Sequence, residues 1–240
     1  MTALISTPTP TRVLAQDPSE TAPDTGSVTL YGVPWDLYCE LRDLPDNNHK
    51  RMIYNHGTLV IMSPTSQFHE ELSIVLNFLI FVWGEERNIK ISYGRSMTFQ
   101  RKDLKQGLEP DNCYYIRHAA EFRATRQIDL STDPPPDLAL EVDVTSPSDV
   151  KLPVYAALGV PEVWIWKANC LRPLVLRDGQ YVEVQESTEL PGFPLVDALR
   201  IMHEQWAGGA HDICREFRAF VRSRFERPAA SGEQSQERES

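Results

Sequence analysis

One short segment constrains this chain more than any other: residues 137–144 read Asp-Leu-Ala-Leu-Glu-Val-Asp-Val. Every second residue is large and aliphatic, so the segment predicts a β-strand whose side chains alternate between two faces. The apolar face consists of Leu138, Leu140, Val142 and Val144, and the other face of Asp137, Ala139, Glu141 and Asp143. Carboxylates on an apolar strand cost free energy unless they face water, a cation or a partner. Glu141 and Asp143 project side by side, and such hard oxygen ligands suit Mg²⁺ or Mn²⁺.

A further carboxylate stands upstream in Glu109-Pro110-Asp111, directly before an apolar run over residues 113–116. The run predicts a strand with Asp111 at its start. Asp111 and Glu141 are 141 − 111 = 30 positions apart, which leaves room for a hairpin-like return between neighbouring strands. Lys151 follows the second strand, and its ammonium group can reach a phosphate oxygen or a water molecule.

Residues 68–87 predict a helix that is apolar nearly all round, and such a helix is expected to be central and buried. Its few polar residues, His69, Ser73 and Asn77, are four apart and therefore share one face.

The rest of the pattern predicts hairpins around residues 55–57 and 178–179, short helices over residues 35–44 and 148–158, and a last helix over residues 211–225. Strands and helices mixed in this way predict an α/β or α+β layer with a mixed sheet. Residues 1–27 and 228–240 have the composition of a disordered leader and tail. Between them we expect a domain over residues 28–205 and an amphipathic C-terminal helix over residues 206–227.

Composition excludes several classes of protein. The longest apolar stretch, residues 72–83, is too short and too interrupted to span a bilayer, and the N-terminus lacks a signal core. The four cysteines form no CxxC pair, which argues against a zinc site and suits a reducing cytoplasm. With 24 Lys and Arg against 34 Asp and Glu, the net charge of −10 argues against a general nucleic-acid coat, but it leaves room for a local basic groove or a metal-bridged phosphate.

The order of short motifs resembles the PD-(D/E)XK nuclease superfamily, and within it the large bacterial family of restriction-endonuclease-like proteins. The motifs are Ser63-Pro64-Thr65 followed by His69, Glu109-Pro110-Asp111, residues 136–142, Ser146-Pro147-Ser148 and residues 155–164. The likeness covers about residues 30–200, and the stretch Tyr155-Ala156-Ala157-Leu158-Gly159-Val160-Pro161-Glu162-Val163-Trp164 is its most specific part.

This resemblance implies a fold and an activity. The fold would be an α/β, restriction-endonuclease-like mixed β-sheet flanked by helices in a single domain. The activity would be hydrolysis of phosphodiester bonds in DNA with Mg²⁺ or Mn²⁺. Asp111 and Glu141 would hold the metal, and Asp143 would either be an extra ligand or point past the metal. Lys151 would orient or activate the attacking water, and His69 would be a further site residue.

The sequence departs from the superfamily pattern in one place, because Asp143 stands where the lysine is expected and Lys151 must take that role. The resemblance also suggests a homodimer.

Several alternatives stay open on the sequence alone. Glu141 and Asp143 could lie on an edge strand with a solvated face, Lys151 could be a solvated helix lysine, and His69 could satisfy backbone groups at a helix start. The C-terminal helix could dock on the domain, form a dimer or contact DNA. The fold could also serve a non-catalytic binding or assembly module, or a hydrolase of RNA or a nucleotide.

Overall fold

The chain forms two β-sheets and five α-helices in a computed structural model that describes residues 26–47, 50–62, 65–122, 128–143 and 150–225. The strands are β1 (Ser27–Leu30), β2 (Met52–Asn55), β3 (Thr58–Met62), β4 (Ser92–Tyr93), β5 (Phe99–Arg101), β6 (Gln106–Leu108), β7 (Asn112–Tyr115), β8 (Leu138–Val142), β9 (Glu162–Lys167), β10 (Cys170–Arg177) and β11 (Gln180–Glu183). The helices are α1 (Trp35–Asp43), α2 (Gln67–Arg87), α3 (Lys151–Leu158), α4 (Leu195–Gln205) and α5 (Gly209–Arg224).

The larger sheet has six strands in the order β11-β10-β9-β8-β7-β4, and β8 and β9 are its parallel pair. A parallel pair needs a crossover connection, which here contains α3. Helix α3 ends at Gly159 with a φ of 80°, a left-handed conformation that glycine adopts without strain. The mixed sheet flanked by helices that the sequence predicted is confirmed.

The smaller sheet is antiparallel, with five strands in the order β1-β3-β2-β6-β5. It packs over α3 against one face of the larger sheet, and a shared core includes Ile53 of β2, Leu108 of β6, Val154 of α3 and Ala139 of β8. The sequence predicted its hairpin around residues 55–57 but did not separate a second sheet.

The other face of the larger sheet carries α2, α4 and α5. Leu138, Leu140 and Val142 point into this core, which also contains the buried Trp164 and Trp166. The alternation predicted for β8 is therefore confirmed. Strand β8 lies between β7 and β9 and all five of its residues are buried, so the solvated edge strand is excluded.

Helix α2 is less buried than its apolar sequence predicted. Most of it is buried, but Ile74, Phe78 and Phe81 are exposed by 47%, 39% and 46%, so the helix is not enclosed on all sides. Helix α5 docks beside it through Ile213, Phe217 and Val221. This docking was one of the alternatives for the C-terminal helix.

The remaining elements differ from the sequence pattern in smaller ways. Helix α4 and strands β1 and β6 were not predicted. None of the four cysteines, all of which lie in the described ranges, forms a disulfide. The predicted tail lies outside the described residues, and so does the predicted leader except for Gly26 and Ser27, the latter opening β1. None of the helices in the described ranges is long and apolar enough to cross a membrane.

Candidate active site

Strands β7 and β8 bring the predicted carboxylates together. Asn112 pairs with Leu140 in their antiparallel register, and one step further along this register Asp111 stands opposite Glu141. Asp143 directly follows β8, two residues after Glu141. Asp111, Glu141 and Asp143 are only 5%, 1% and 2% exposed, so all three acidic side chains are buried.

Helix α3 supplies the partners of Glu141. The Lys151 ammonium Nζ lies 2.5 Å from Glu141 Oε2, and the Tyr155 hydroxyl donates a hydrogen bond to Glu141 Oε1. Lys151 Nζ is also 3.9 Å from Asp143 Oδ1. Since Lys151 is itself 2% exposed, it is not a solvated helix lysine. Burial and the charge of Glu141 raise the pKa of Tyr155 well above its usual value, so its phenol stays protonated and donates.

Asp111 has partners from three elements. Its Oδ2 accepts a 2.6 Å hydrogen bond from the Val142 backbone N–H and lies 3.2 Å from His69 Nε2. Its Oδ1 forms an ion pair with the guanidinium of Arg51, the residue before β2. Asp111 therefore joins the smaller sheet, α2 and β8 at one point.

His69 lies in the first turn of α2, where its backbone N–H donates to the Ser66 hydroxyl that caps the helix. Burial and the positive charge of Arg51 lower the pKa of His69 to about 4, so the imidazole is neutral at neutral pH. The face predicted for His69 and Ser73 does point at β7, because the Asn112 amide donates a 2.7 Å hydrogen bond to Ser73 Oγ.

The balance of charge bears on the predicted metal. Three carboxyl groups, Asp111, Glu141 and Asp143, outnumber the two cationic side chains that contact them, Arg51 and Lys151. Carboxylate oxygens are suitable ligands for Mg²⁺ or Mn²⁺, so the donor set fits such an ion in chemistry. In the described part of the chain no three His, Cys, Asp or Glu side chains are already grouped as metal ligands. Ligation would therefore require Asp111 and Glu141 to share oxygens now directed at Arg51 and Lys151.

Sequence reasoning missed two members of the cluster. Tyr155 lies four residues after Lys151, hence on the same helix face, and this spacing could have pointed to it. No local sequence pattern predicts the role of Arg51, because its contact with Asp111 depends on how the two sheets pack together.

The mixed sheet, its flanking helices and the buried acid–lysine cluster define a protein of the restriction-endonuclease-like class. A family model described as "Uma2: Putative restriction endonuclease" matches residues 35–203, well over half of the chain. The chain belongs to that family.

Among solved structures, the chain is similar to one described as "a putative nuclease belonging to DUF820" from Anabaena variabilis ATCC 29413. The TM-score is 0.47, with 11% identity over 77% of this chain and 99% of that one. No curated protein matches the chain.

Proposed function

We propose that this chain is a divalent-metal-dependent endonuclease that hydrolyses phosphodiester bonds in DNA. The proposal is supported mainly by the buried Lys151–Glu141 pair on β8 and α3, together with the buried Asp111 directly before the paired strand β7. Membership of the Uma2 family supports the nuclease class.

Each residue has a role in this proposal. Asp111 and Glu141 hold the divalent cation, with Asp143 as an additional ligand. Such a cation supplies positive charge for the phosphate and lowers the pKa of a water molecule. Lys151 orients the water or offsets charge on the phosphate. His69 positions Asp111 through its Nε2 atom.

Cleavage of supercoiled and linear DNA by the full chain, with Mg²⁺ or Mn²⁺ and with EDTA, tests the proposal. Glu141→Gln keeps the side-chain volume but removes a charge, and it should lower the cleavage rate at least about a hundredfold, because the metal contributes several kcal/mol to the barrier. Glu183→Gln is the matched control, since Glu183 lies in β11, an edge strand of the larger sheet, and pairs with Arg172 of the neighbouring β10. Cleavage that survives Glu141→Gln, or no cleavage of DNA at all, would contradict the proposal.

A non-catalytic module is the second candidate, and one observation favours it: Arg51, Lys151 and Tyr155 already serve as partners for the carboxylates. Calorimetric titration with Mn²⁺ separates the two candidates. A Mn²⁺ site that Asp111→Asn and Glu141→Gln abolish supports the nuclease, whereas the module predicts no such site. RNA included among the cleavage substrates tests the remaining hydrolase alternative.

A further inference from the structure

Two adjoining cavities lie beside α1, away from the carboxylate cluster of Asp111, Glu141 and Asp143. Their volumes are about 640 and 620 Å³, and Trp35, Asp36 and Lys102 line both of them. We call the pair the α1 groove. Cavities of this size hold small organic ligands. Arg51, at one end of β2, contacts Asp111, whereas His56, beyond the other end, lines the groove. The four residues of β2 lie between them, and five steps at the usual rise span about 17 Å, so the groove is a separate site.

The walls of the groove are held in place by hydrogen bonds. The His56 backbone N–H donates to the Lys105 carbonyl at 3.0 Å, which fixes the β2–β3 turn beside the β5–β6 turn. The Val33 N–H donates to the Gly57 carbonyl at 2.9 Å, and the Tyr54 hydroxyl donates to the Val33 carbonyl at 2.7 Å. The residues leading into α1 are therefore tied to the same turn, so hydrogen bonds within the chain hold these walls together.

Trp35 presents an aromatic surface to the groove. Its ring packs edge-on against Tyr38 and Tyr54, with centroids 5.3 and 5.4 Å apart, and those two rings stack on each other at 4.7 Å. Tyr38 and Tyr54 are fully buried, so Trp35 is the member of this three-ring cluster that is partly exposed, and it lines both cavities. A partly exposed indole on a rigid base is a suitable stacking surface for a planar ring.

The cavity beside the β2–β3 turn has more basic than acidic side chains, whereas Asp43 and Asp129 line the other cavity together with Arg42. Lys102, Lys105 and His56 are exposed and line the groove. Within the described ranges neither lysine has a carboxylate partner within 4.0 Å, whereas the neighbouring Arg101 pairs with Asp103 at 2.6 Å. In a chain of net charge −10, these two lysines, unpaired with any carboxylate of the described residues, offer a local site for an aromatic anion beside Trp35. Asp36, on the wall that the cavities share, can accept a hydrogen bond from an amino or hydroxyl group.

We propose that the α1 groove binds a nucleotide, with its base stacked on Trp35 and its phosphate between Lys102 and Lys105. Asp36 accepts a hydrogen bond from the base or the sugar. A free nucleotide and one unit of a single-stranded nucleic acid offer the same chemistry here. This site goes beyond the nuclease activity and does not depend on it.

Binding of AMP and of a short fluorescein-labelled single-stranded oligonucleotide to the full chain in EDTA tests the charged half of the groove. The double variant Lys102→Ala/Lys105→Ala weakens binding of both ligands. It also reduces the slope of log K against log salt for the oligonucleotide by about 1.4, since each phosphate that a lysine neutralises contributes about 0.7 to that slope. The control Lys90→Ala/Lys167→Ala removes the same charge from two other exposed positions and leaves the slope unchanged.

The aromatic half is tested with Trp35→Leu, which weakens oligonucleotide binding about five- to a hundredfold, the range for removing one base stack. If this variant does not fold, ligand quenching of tryptophan fluorescence in a Trp206→Phe chain tests the same contact. Of the five tryptophans, Trp83, Trp164 and Trp166 are buried, so the quenched signal in that chain comes from Trp35.

The outcomes distinguish a free nucleotide from a single-stranded nucleic acid, and they test groove binding separately from DNA cleavage. Binding of both ligands with these variant effects supports a site that also accepts a free nucleotide. Binding of the oligonucleotide alone, with the same effects, supports a site for single-stranded nucleic acid. Equal losses in the control pair, or binding with Trp35 fluorescence unchanged, would overturn it. Glu141→Gln leaves groove binding intact, so a failure to cleave DNA and a failure to bind in the groove are read independently.

Discussion

Lys151 and Glu141 form an ion pair that is almost wholly removed from solvent. Each charge stabilises the other, because an unpaired charge in the interior loses its hydration without the compensating attraction of an ion pair. The pair at Arg172 and Glu183 has a similar separation of 2.6 Å but lies at the surface, where water screens it. The two pairs therefore offer a matched comparison of the same contact in different surroundings.

Lys151→Met should lower the free energy of unfolding by about 3–5 kcal/mol, since it leaves Glu141 buried without its cation. Arg172→Met, the surface counterpart, should cost about 0–1 kcal/mol. Urea denaturation of the two variants and the wild type measures both values. Equal costs would show that water reaches Lys151 and that the pair is not buried in solution.

His69 predicts a specific pH dependence of stability. Its pKa falls from 6.5 to about 4 on folding, so the unfolded chain binds more protons between these values and stability decreases as the pH falls from 6.5 to 4. The loss is about 3 kcal/mol for this group when the pH reaches 4. His69→Gln cannot titrate and should lack this part of the decline, which denaturation at several pH values will show. Parallel curves for variant and wild type would contradict the assignment.

Helix α2 shows what a hydrophobic pattern predicts at the scale of one element. Its apolar residues correctly indicated a helix packed on the sheet, but a composition that is apolar all round does not tell which side neighbours cover. Helix α5 and the sheet cover two sides, and Ile74, Phe78 and Phe81 remain exposed.

Neighbouring positions on α2 should therefore respond very differently to substitution. Leu79→Ala removes a buried side chain and should lower the free energy of unfolding by about 2–5 kcal/mol. Phe78→Gln, one residue away and 39% exposed, should cost less than about 1 kcal/mol. Thermal melts of the two variants check this. A cost for Phe78→Gln close to that of Leu79→Ala would mean that another surface covers this side of the helix.

Both ends of the β7–β8 pair carry a Pro-Asp dipeptide, and only one belongs to the site. Asp111 joins the carboxylate cluster, whereas Asp137 accepts hydrogen bonds from the Ile116 and His118 backbone N–H groups and lies 2.7 Å from His118 Nδ1. Asp137 thus fixes the chain where it leaves β7. An antiparallel pair puts the start of one strand beside the end of the other, which is why the two dipeptides are separated.

At the scale of the whole molecule, the two sheets share a core through α3, and we expect them to unfold together. Denaturation curves from tryptophan fluorescence, which reports mainly on the core of the larger sheet, and from far-ultraviolet circular dichroism should coincide. Two separated transitions would contradict the single domain that the sequence predicts.

Much of this architecture could be predicted from the sequence. The alternation of residues 137–144 correctly divided β8 between two faces, and the hairpins around residues 55–57 and 178–179 lie where turn residues indicated them. Asp111 and Glu141 meet because their segments pair, as their spacing suggested.

What could not be predicted depends on the packing of remote elements. Arg51 joins the cluster only because the smaller sheet lies over α3, and no local pattern records that arrangement. The division into two sheets was missed for the same reason, since strand order follows from long-range pairing rather than from periodicity.

The crossover through α3 has a consequence for how this centre assembles. Glu141 and Lys151 are ten residues apart on either side of one connection, while Arg51 and Asp111 are sixty residues apart and belong to different layers. Contacts that are close in sequence cost little chain entropy and form early, and distant contacts form late. The Glu141–Lys151 pair can therefore form within a single β-α-β unit. The Arg51–Asp111 pair forms only when the two sheets pack together, which makes it a marker of the final step of folding.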